Sequence, residues 1–307
     1  MRGPTHGSAM SDDPVARPVL RASTSLPMFR DGAARLLHLG GNRAARVGLA
    51  GVALTLVVAL LAPWLAPHDP LQTDLARSLA PPSWEHLLGT DHLGRDVLSR
   101  LFYGARVSLS IALLSVALSV GVGVALGAVA GFFGGLVDTL VMRTVDLALA
   151  VPRLVLLVTV IAIFQPSIAT IVLLLALTQW PAPARLVRAE ILSLKERDFI
   201  LAARGLGYSR RRILFRHLLP NATSPVLVAA TLGIAHTVIL EAGLAFLGLG
   251  VPLSWGTLLL AGRANLITGA WWLSTFPGLA IARVAIAFNL LGDGLMDALD
   301  PRRGEGG

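Results

Sequence analysis

The chain contains no cysteine. Structural disulfides, thiolate metal sites and cysteine nucleophiles are therefore excluded. Lysine is almost absent as well: Lys195 is the only one, so arginine supplies the rest of the 26 basic residues. Charge is scarce overall, with Asp, Glu, Lys and Arg at 14% against roughly 25% in a typical soluble domain. Apolar residues dominate instead, at 54% of 307 residues with a mean hydropathy of +0.70. Fibrous, disordered and disulfide-rich classes do not fit this composition. An integral membrane protein does. The net charge of +8 raises the question of nucleic acid, but membrane proteins gather arginine in cytoplasmic loops, and that placement explains the charge without it.

A helix crossing the hydrocarbon core needs about 20 largely apolar residues. Uncharged runs cover 47–66 and 107–131, and a third run over 137–164 is interrupted by Asp138, Arg143, Asp146 and Arg153. Gln165-Pro166-Ser167 breaks the chain before a fourth segment over 168–180, and two more follow over 222–245 and 276–296. Pro152, Pro166, Pro181 and Pro183 are expected to cut segments three and four. The predicted fold is all-α and polytopic, with about six transmembrane helices. Residues 1–46 hold seven basic residues and residues 182–221 hold nine, whereas 67–104 hold three against five acids and 246–275 hold only Arg263. Six spans with both termini cytoplasmic put both arginine-rich stretches inside. Residues 1–44 read as a disordered cytoplasmic extension without a signal-peptide pattern, 45–300 as the membrane domain, and 301–307 as a cytoplasmic tail. The first span then acts as an uncleaved anchor.

Several patterns stand out. Ser119, Gly123, Gly127 and Gly131 recur at four-residue spacing, a small-residue stripe that admits a neighbouring backbone, either in the same bundle or on a second subunit. Asp138, Arg143, Asp146, Glu241, Arg283 and Asp293 lie in or at the ends of spans, where structural ion pairs are expected, Arg143 with Asp146 or Asp138 along one helix. The 182–221 segment carries two short helices joined at a glycine. The first runs from about Lys195 to Leu206, with Phe199, Ala202, Ala203 and Leu206 on one face. Gly207 suits a left-handed turn, Ser209 an N-cap, and Pro220 a stop. Such a segment either lies on the membrane surface or docks to a cytoplasmic partner. The seven histidines are scattered and form no H-E-x-x-H motif.

Ala202-Ala203, Gly207 and Leu219-Pro220 are spaced as in the cytoplasmic loop of permease subunits of ATP-binding-cassette (ABC) importers, which the chain resembles. Leu201 stands where that signature has Glu, and His217 where it has an apolar residue. Leu88-Gly89-Thr90-Asp91-His92-Leu93-Gly94-Arg95-Asp96-Val97, Glu241-Ala242-Gly243-Leu244-Ala245-Phe246-Leu247-Gly248-Leu249-Gly250, and Asn289-Leu290-Leu291-Gly292-Asp293-Gly294 narrow the resemblance to the peptide/nickel branch and its C-type permease. The resemblance covers about residues 45–303.

It implies a type I importer permease fold. It also implies a heteromeric complex with a second permease subunit, two ATP-binding subunits and an extracytoplasmic substrate-binding protein, in a bacterial or archaeal plasma membrane. The 182–221 loop would couple to the ATPase through Ala202, Ala203, Arg204, Gly207, Arg212, Leu219 and Pro220. Within the external segment 67–104, the stretch 81–104, together with the 243–256 stretch, would shape the face that receives the binding protein. No cofactor is expected in this chain, ATP and Mg being held by the partner ATPases. The residues agree, since the sole lysine follows Ser193-Leu194 and belongs to no G-x-x-x-x-G-K-[ST] phosphate loop. Dipeptides, oligopeptides, nickel chelates and glutathione are all cargo of this branch, peptides being the commonest. A membrane enzyme would need a nucleophile–base pair or clustered ligands, and a stand-alone secondary transporter an inverted repeat. Neither is visible.

Overall fold

The computed structural model describes residues 42–299; the N-terminal extension expected over 1–44 and the tail over 301–307 fall almost wholly outside them. Among the described residues the secondary structure is helical apart from one isolated bridge, Thr90 to Asp96. The helices are α1 (Arg43–Leu65), α2 (Val97–Phe133), α3 (Gly135–Ala150), α4 (Arg153–Ile163), α5 (Ile168–Gln179), α6 (Pro181–Lys195), α7 (Asp198–Gly205), α8 (Arg210–Leu249), α9 (Trp255–Ala264) and α10 (Trp272–Leu299). Five stretches are long and apolar enough to cross a bilayer: α1, α2, α5–α6 together, α8 and α10. Counting the bent pair α3–α4 as one broken span makes up to six.

Local chemistry explains the boundaries. Asn42 caps α1, its Oδ1 accepting from Ala44 N at 2.9 Å. α2 starts ten residues before the apolar run does, because Asp96 Oδ2 accepts the Ser99 N–H at 2.7 Å and caps a turn that carries Arg100. At 37 residues it is about 55 Å long, more than the ~30 Å hydrocarbon core, so charge in its first turns lies beyond the hydrocarbon. α3 and α4 meet at 78° because Pro152 pushes Val151 into the extended region (φ −83°, ψ 126°).

Two expected cuts are absent. Pro181 and Pro183 sit in the first turn of α6, where a missing N–H costs little, and Trp180 keeps helical angles, so α5 and α6 together form one 28-residue stretch long and apolar enough to cross a bilayer. Pro220 does not stop a helix either. Just before it, Ile213–Leu218 widens into a π-turn, Leu219 N bonding Leu214 O, and Asn221 Nδ2 donates to the His217 carbonyl at 2.5 Å. The bulge absorbs the proline, and α8 continues to Leu249.

The small-residue stripe of α2 packs on α6. A Cβ on Gly127 would lie 2.3 Å from Ala184 O, one on Gly123 2.7 Å from Pro183 Cγ, and one on Gly131 3.0 Å from Arg188 O; Ser119 is buried in the same row. α1 and α10 approach as closely through Gly48 and Gly294, and Asn42 Nδ2 ties their ends by donating to Asp297 Oδ2 at 3.1 Å. Arg143 pairs with neither expected acid. Asp146 is met by Arg185 at 2.5 Å and Asp138 by Arg188, both from α6, while Arg143 is exposed. The two acids are two turns apart on the face that α6 covers, so inter-helix partners reach them. Lys195 ends α6 with its Nζ donating to Gly131 O at 3.0 Å and Phe132 O at 3.2 Å. The only lysine thus closes orphan carbonyls at the end of α2.

Candidate functional site: a helical elbow and its supports

The segment between α6 and α8 forms an elbow. Lys195, held by the end of α2, closes α6, and Arg197 takes extended angles (φ −73°, ψ 143°). The elbow helix α7 therefore begins at Asp198, not at Lys195 as expected, with an acid in its first turn. It ends in a Schellman turn: Gly207 N bonds Arg204 O at 2.9 Å and Tyr208 N bonds Ala203 O at 3.1 Å, with Gly207 at φ +76°. That angle is cheap only for glycine. Ser209 then caps α8, its Oγ accepting from Arg212 N at 3.3 Å. Arg212 lies 4.2 Å above the Tyr208 ring, and Tyr208 stacks on His217.

The two alanines divide their roles. Ala203 is buried, on the same side of α7 as Ile200, which packs with Val187, Ile191, Ile213 and Leu218. Ala202 is exposed, as are Phe199, Leu201 and Leu206. The face expected to carry Phe199, Ala202, Ala203 and Leu206 together is therefore split, because Ile200 supplies the inward anchor and Ala203 follows it at i+3. Arg204, Arg210, Arg211, Arg212 and Arg216 are all exposed, and none is in an ion pair among the described residues. Leu219 and Pro220 lie half-buried at the bulge, away from the exposed ridge. The elbow presents an apolar ridge bordered by uncompensated positive charge.

The stretch between α1 and α2 is pinned just as firmly. Asp91 is buried, accepting from Leu93 N at 2.8 Å, Arg95 N at 3.0 Å, Arg95 Nε at 2.7 Å and Arg100 Nη1. Burial pushes its carboxyl up, but Arg100 and the Arg95 and Leu93 donors outweigh this and hold it below its ordinary value. Trp272 Nε1 donates to Thr90 O at 3.0 Å and docks the segment on α10.

Folding brings together histidines that are scattered in sequence. The rings of His68 and His86 lie 4.8 Å apart, tilted by 39°, beside Asp96. Arginine can only donate, so Arg77 Nη1, 3.4 Å from His86 Nε2, fixes the proton on Nδ1, which donates to Asp96 Oδ1 at 3.0 Å. A metal on Nδ1 would displace that proton and leave Nε2–H facing another N–H. His86 and Asp96 are thus hydrogen-bonded to each other, while His68 Nδ1 is buried without a hydrogen-bond partner, 3.8 Å from Asp96 Oδ1.

Family models match this architecture at two places. The binding-protein-dependent transport system inner membrane component matches residues 123–305, and the N-terminal transmembrane domain of oligopeptide transport permease C matches residues 36–82. The chain belongs to the family of binding-protein-dependent transport inner membrane components; it is a multi-pass ABC permease subunit, not a catalytic one. Among named relatives, it is 46% identical over 270 residues to the dipeptide transport system permease protein DppC of Escherichia coli K12, covering 85% of this chain and 90% of that protein. It is 39% identical over 270 residues to the protein of the same name from Haemophilus influenzae, covering 85% of this chain and 91% of that protein.

Proposed function

We infer that the chain forms half of the translocation pathway of a peptide importer, paired with a second permease subunit. Two ATP-binding subunits bind below it, and a substrate-binding protein delivers cargo from outside. The elbow supports this most directly: an exposed apolar ridge on α7, bordered by five arginines without an ion pair among the described residues, hangs on a glycine turn at the root of α8. Such a ridge fits a groove with an acidic rim. Closure of the ATPase pair would push on α7, and the packing of Ile200 and Ala203 would pass the movement to α6 and α8. Ala202 leaves room for close seating, and Arg204 and Arg212 meet the rim. The arginine distribution supports a cytoplasmic elbow and cytoplasmic termini. Peptide is the cargo supported by the likeness to dipeptide permeases; nickel chelates and glutathione are the alternatives.

Purification with partner subunits and reconstitution in proteoliposomes tests this. ATP-dependent accumulation of a labelled dipeptide that requires the binding protein is expected. Accumulation by this chain alone, or of nickel chelates or glutathione but not peptide, would overturn the assignment.

A further inference from the structure

The bend between α3 and α4 borders a cavity of about 620 Å³, shared with α2, α5, α6 and α8. Its walls are largely aliphatic, with Val116, Leu156, Leu186 and Leu232 among them. Its unsatisfied polar groups are all of one kind. Arg153, the first residue of α4, has Nη1 3.4 Å from His236 Nε2. Its Nε and Nη2 are buried and have no hydrogen-bond partner. Gln179 shares this condition: its Oε1 accepts from Thr237 Oγ1 at 2.9 Å, but its Nε2 is buried and unpartnered. Ser119 and Thr178 turn their hydroxyls onto carbonyls of their own helices, at Val116 and Leu175. No aspartate or glutamate lines the cavity. What is unmet is therefore N–H donation, next to a fixed positive charge.

Ionisable groups within a membrane domain are costly and are kept where a ligand or ion completes them, and idle buried donors add to that cost. The shape of the deficit identifies the ligand. Nε with Nη2 is the side of a guanidinium that takes both oxygens of one carboxylate. The same chain shows this fork in use, since Arg188 gives Nε and Nη2 to the two oxygens of Asp138. Arg153, itself a lining residue, holds the identical pair covered just behind the cavity wall, with no acid beside it among the described residues.

We propose that this cavity is a carboxylate subsite on the translocation path, where the Arg153 fork binds the C-terminal carboxylate of a peptide in transit. Gln179 Nε2 donates to the same group or to the adjoining peptide carbonyl, and the aliphatic walls take the terminal side chain. The proposal rests on the peptide reading above.

The absence of native cysteine gives a direct test. Ala229 lines the cavity from α8, and Ala229→Cys provides a reporter in the assembled importer, with partner cysteines replaced. Labelling is followed by mass on this chain, with anionic and cationic thiosulfonates, and without the binding protein so that its selectivity does not enter. With Arg153 present the anionic reagent is favoured by about tenfold, and Arg153→Gln removes the preference. A dipeptide slows labelling, its C-terminal amide does not, and Arg153→Gln abolishes the protection. ATP-driven dipeptide uptake is measured in parallel on the same complex with the binding protein restored. No uptake would sink the peptide reading on which the subsite rests. Uptake without protection, equal protection by dipeptide and amide, or protection that survives Arg153→Gln would overturn the subsite alone. Should Arg153→Gln fail to assemble, Gln179→Leu keeps the charge and is expected to weaken protection by roughly tenfold, as for loss of one charge-assisted hydrogen bond. Unchanged protection there would equally overturn it.

Discussion

Ser108 on α2 donates to Glu241 Oε2 on α8 at 3.1 Å, and the same hydroxyl accepts the Trp255 N–H of α9 at 3.2 Å. One oxygen thus joins three helices around a buried carboxyl that has no cationic partner among the described residues. Ser108→Ala strands an N–H and a carboxyl oxygen together. We expect a loss of about 1–3 kcal/mol, read as a lower midpoint in thermal unfolding of the detergent-solubilised chain. An unchanged midpoint would mean that water replaces the hydroxyl.

The α2–α6 seam depends on side-chain size. Gly127→Val places its Cβ 2.3 Å from Ala184 O, which is backbone and cannot yield. The two helices must separate, at a cost of about 1–3 kcal/mol or more. Gly121→Ala on the same helix meets nothing within 4 Å and should be neutral or slightly stabilising. Thermal melts of both variants test whether contact, rather than glycine content, sets the effect.

Coupling should separate the two alanines. Ala202→Trp adds bulk to the exposed ridge, so the chain keeps its stability while dipeptide uptake falls and ATP hydrolysis by the partner subunits continues. Ala203→Trp instead disturbs the chain's own packing and lowers its melting point. Gly207→Val costs about 1–2 kcal/mol in the left-handed region and should uncouple, whereas Gly207→Asn tolerates that angle better and retains most uptake. Coupled uptake in both Ala202→Trp and Gly207→Val would remove the elbow from the mechanism.

Asp91 gives stability a pH dependence outside the spans. Its folded carboxyl is held below its ordinary value, so its stabilisation is fully present above that value and is lost as pH falls through the depressed one. Melting points should therefore drop on acidification below about pH 4. Asp91→Asn should flatten that drop and also cost about 3 kcal/mol at neutral pH, because Arg100 is then left buried without its counter-charge. A parallel acid profile in wild type and Asp91→Asn would assign the titration to another group.

The bulk of the architecture follows from one-dimensional facts. Spans are set by length and hydropathy, the turn at Gly207 by the steric freedom of glycine, and the cap at Ser209 by its hydroxyl. These are local or compositional terms, so they are readable without coordinates. Proline was the misleading local signal: Pro181, Pro183 and Pro220 fall in a helix's first turn or just after a π-turn, where the missing N–H is absorbed. Only tertiary structure decided the rest. The partners of Asp138 and Asp146 come from α6 and not from Arg143, Ala203 turns inward while Ala202 turns outward, and His68 meets His86. Arg153 and Gln179 carry no motif, and their significance lies in donors left unmet when four other helices close around the Pro152 bend. Pairing and burial are relations between segments distant in the chain, and no local periodicity encodes them.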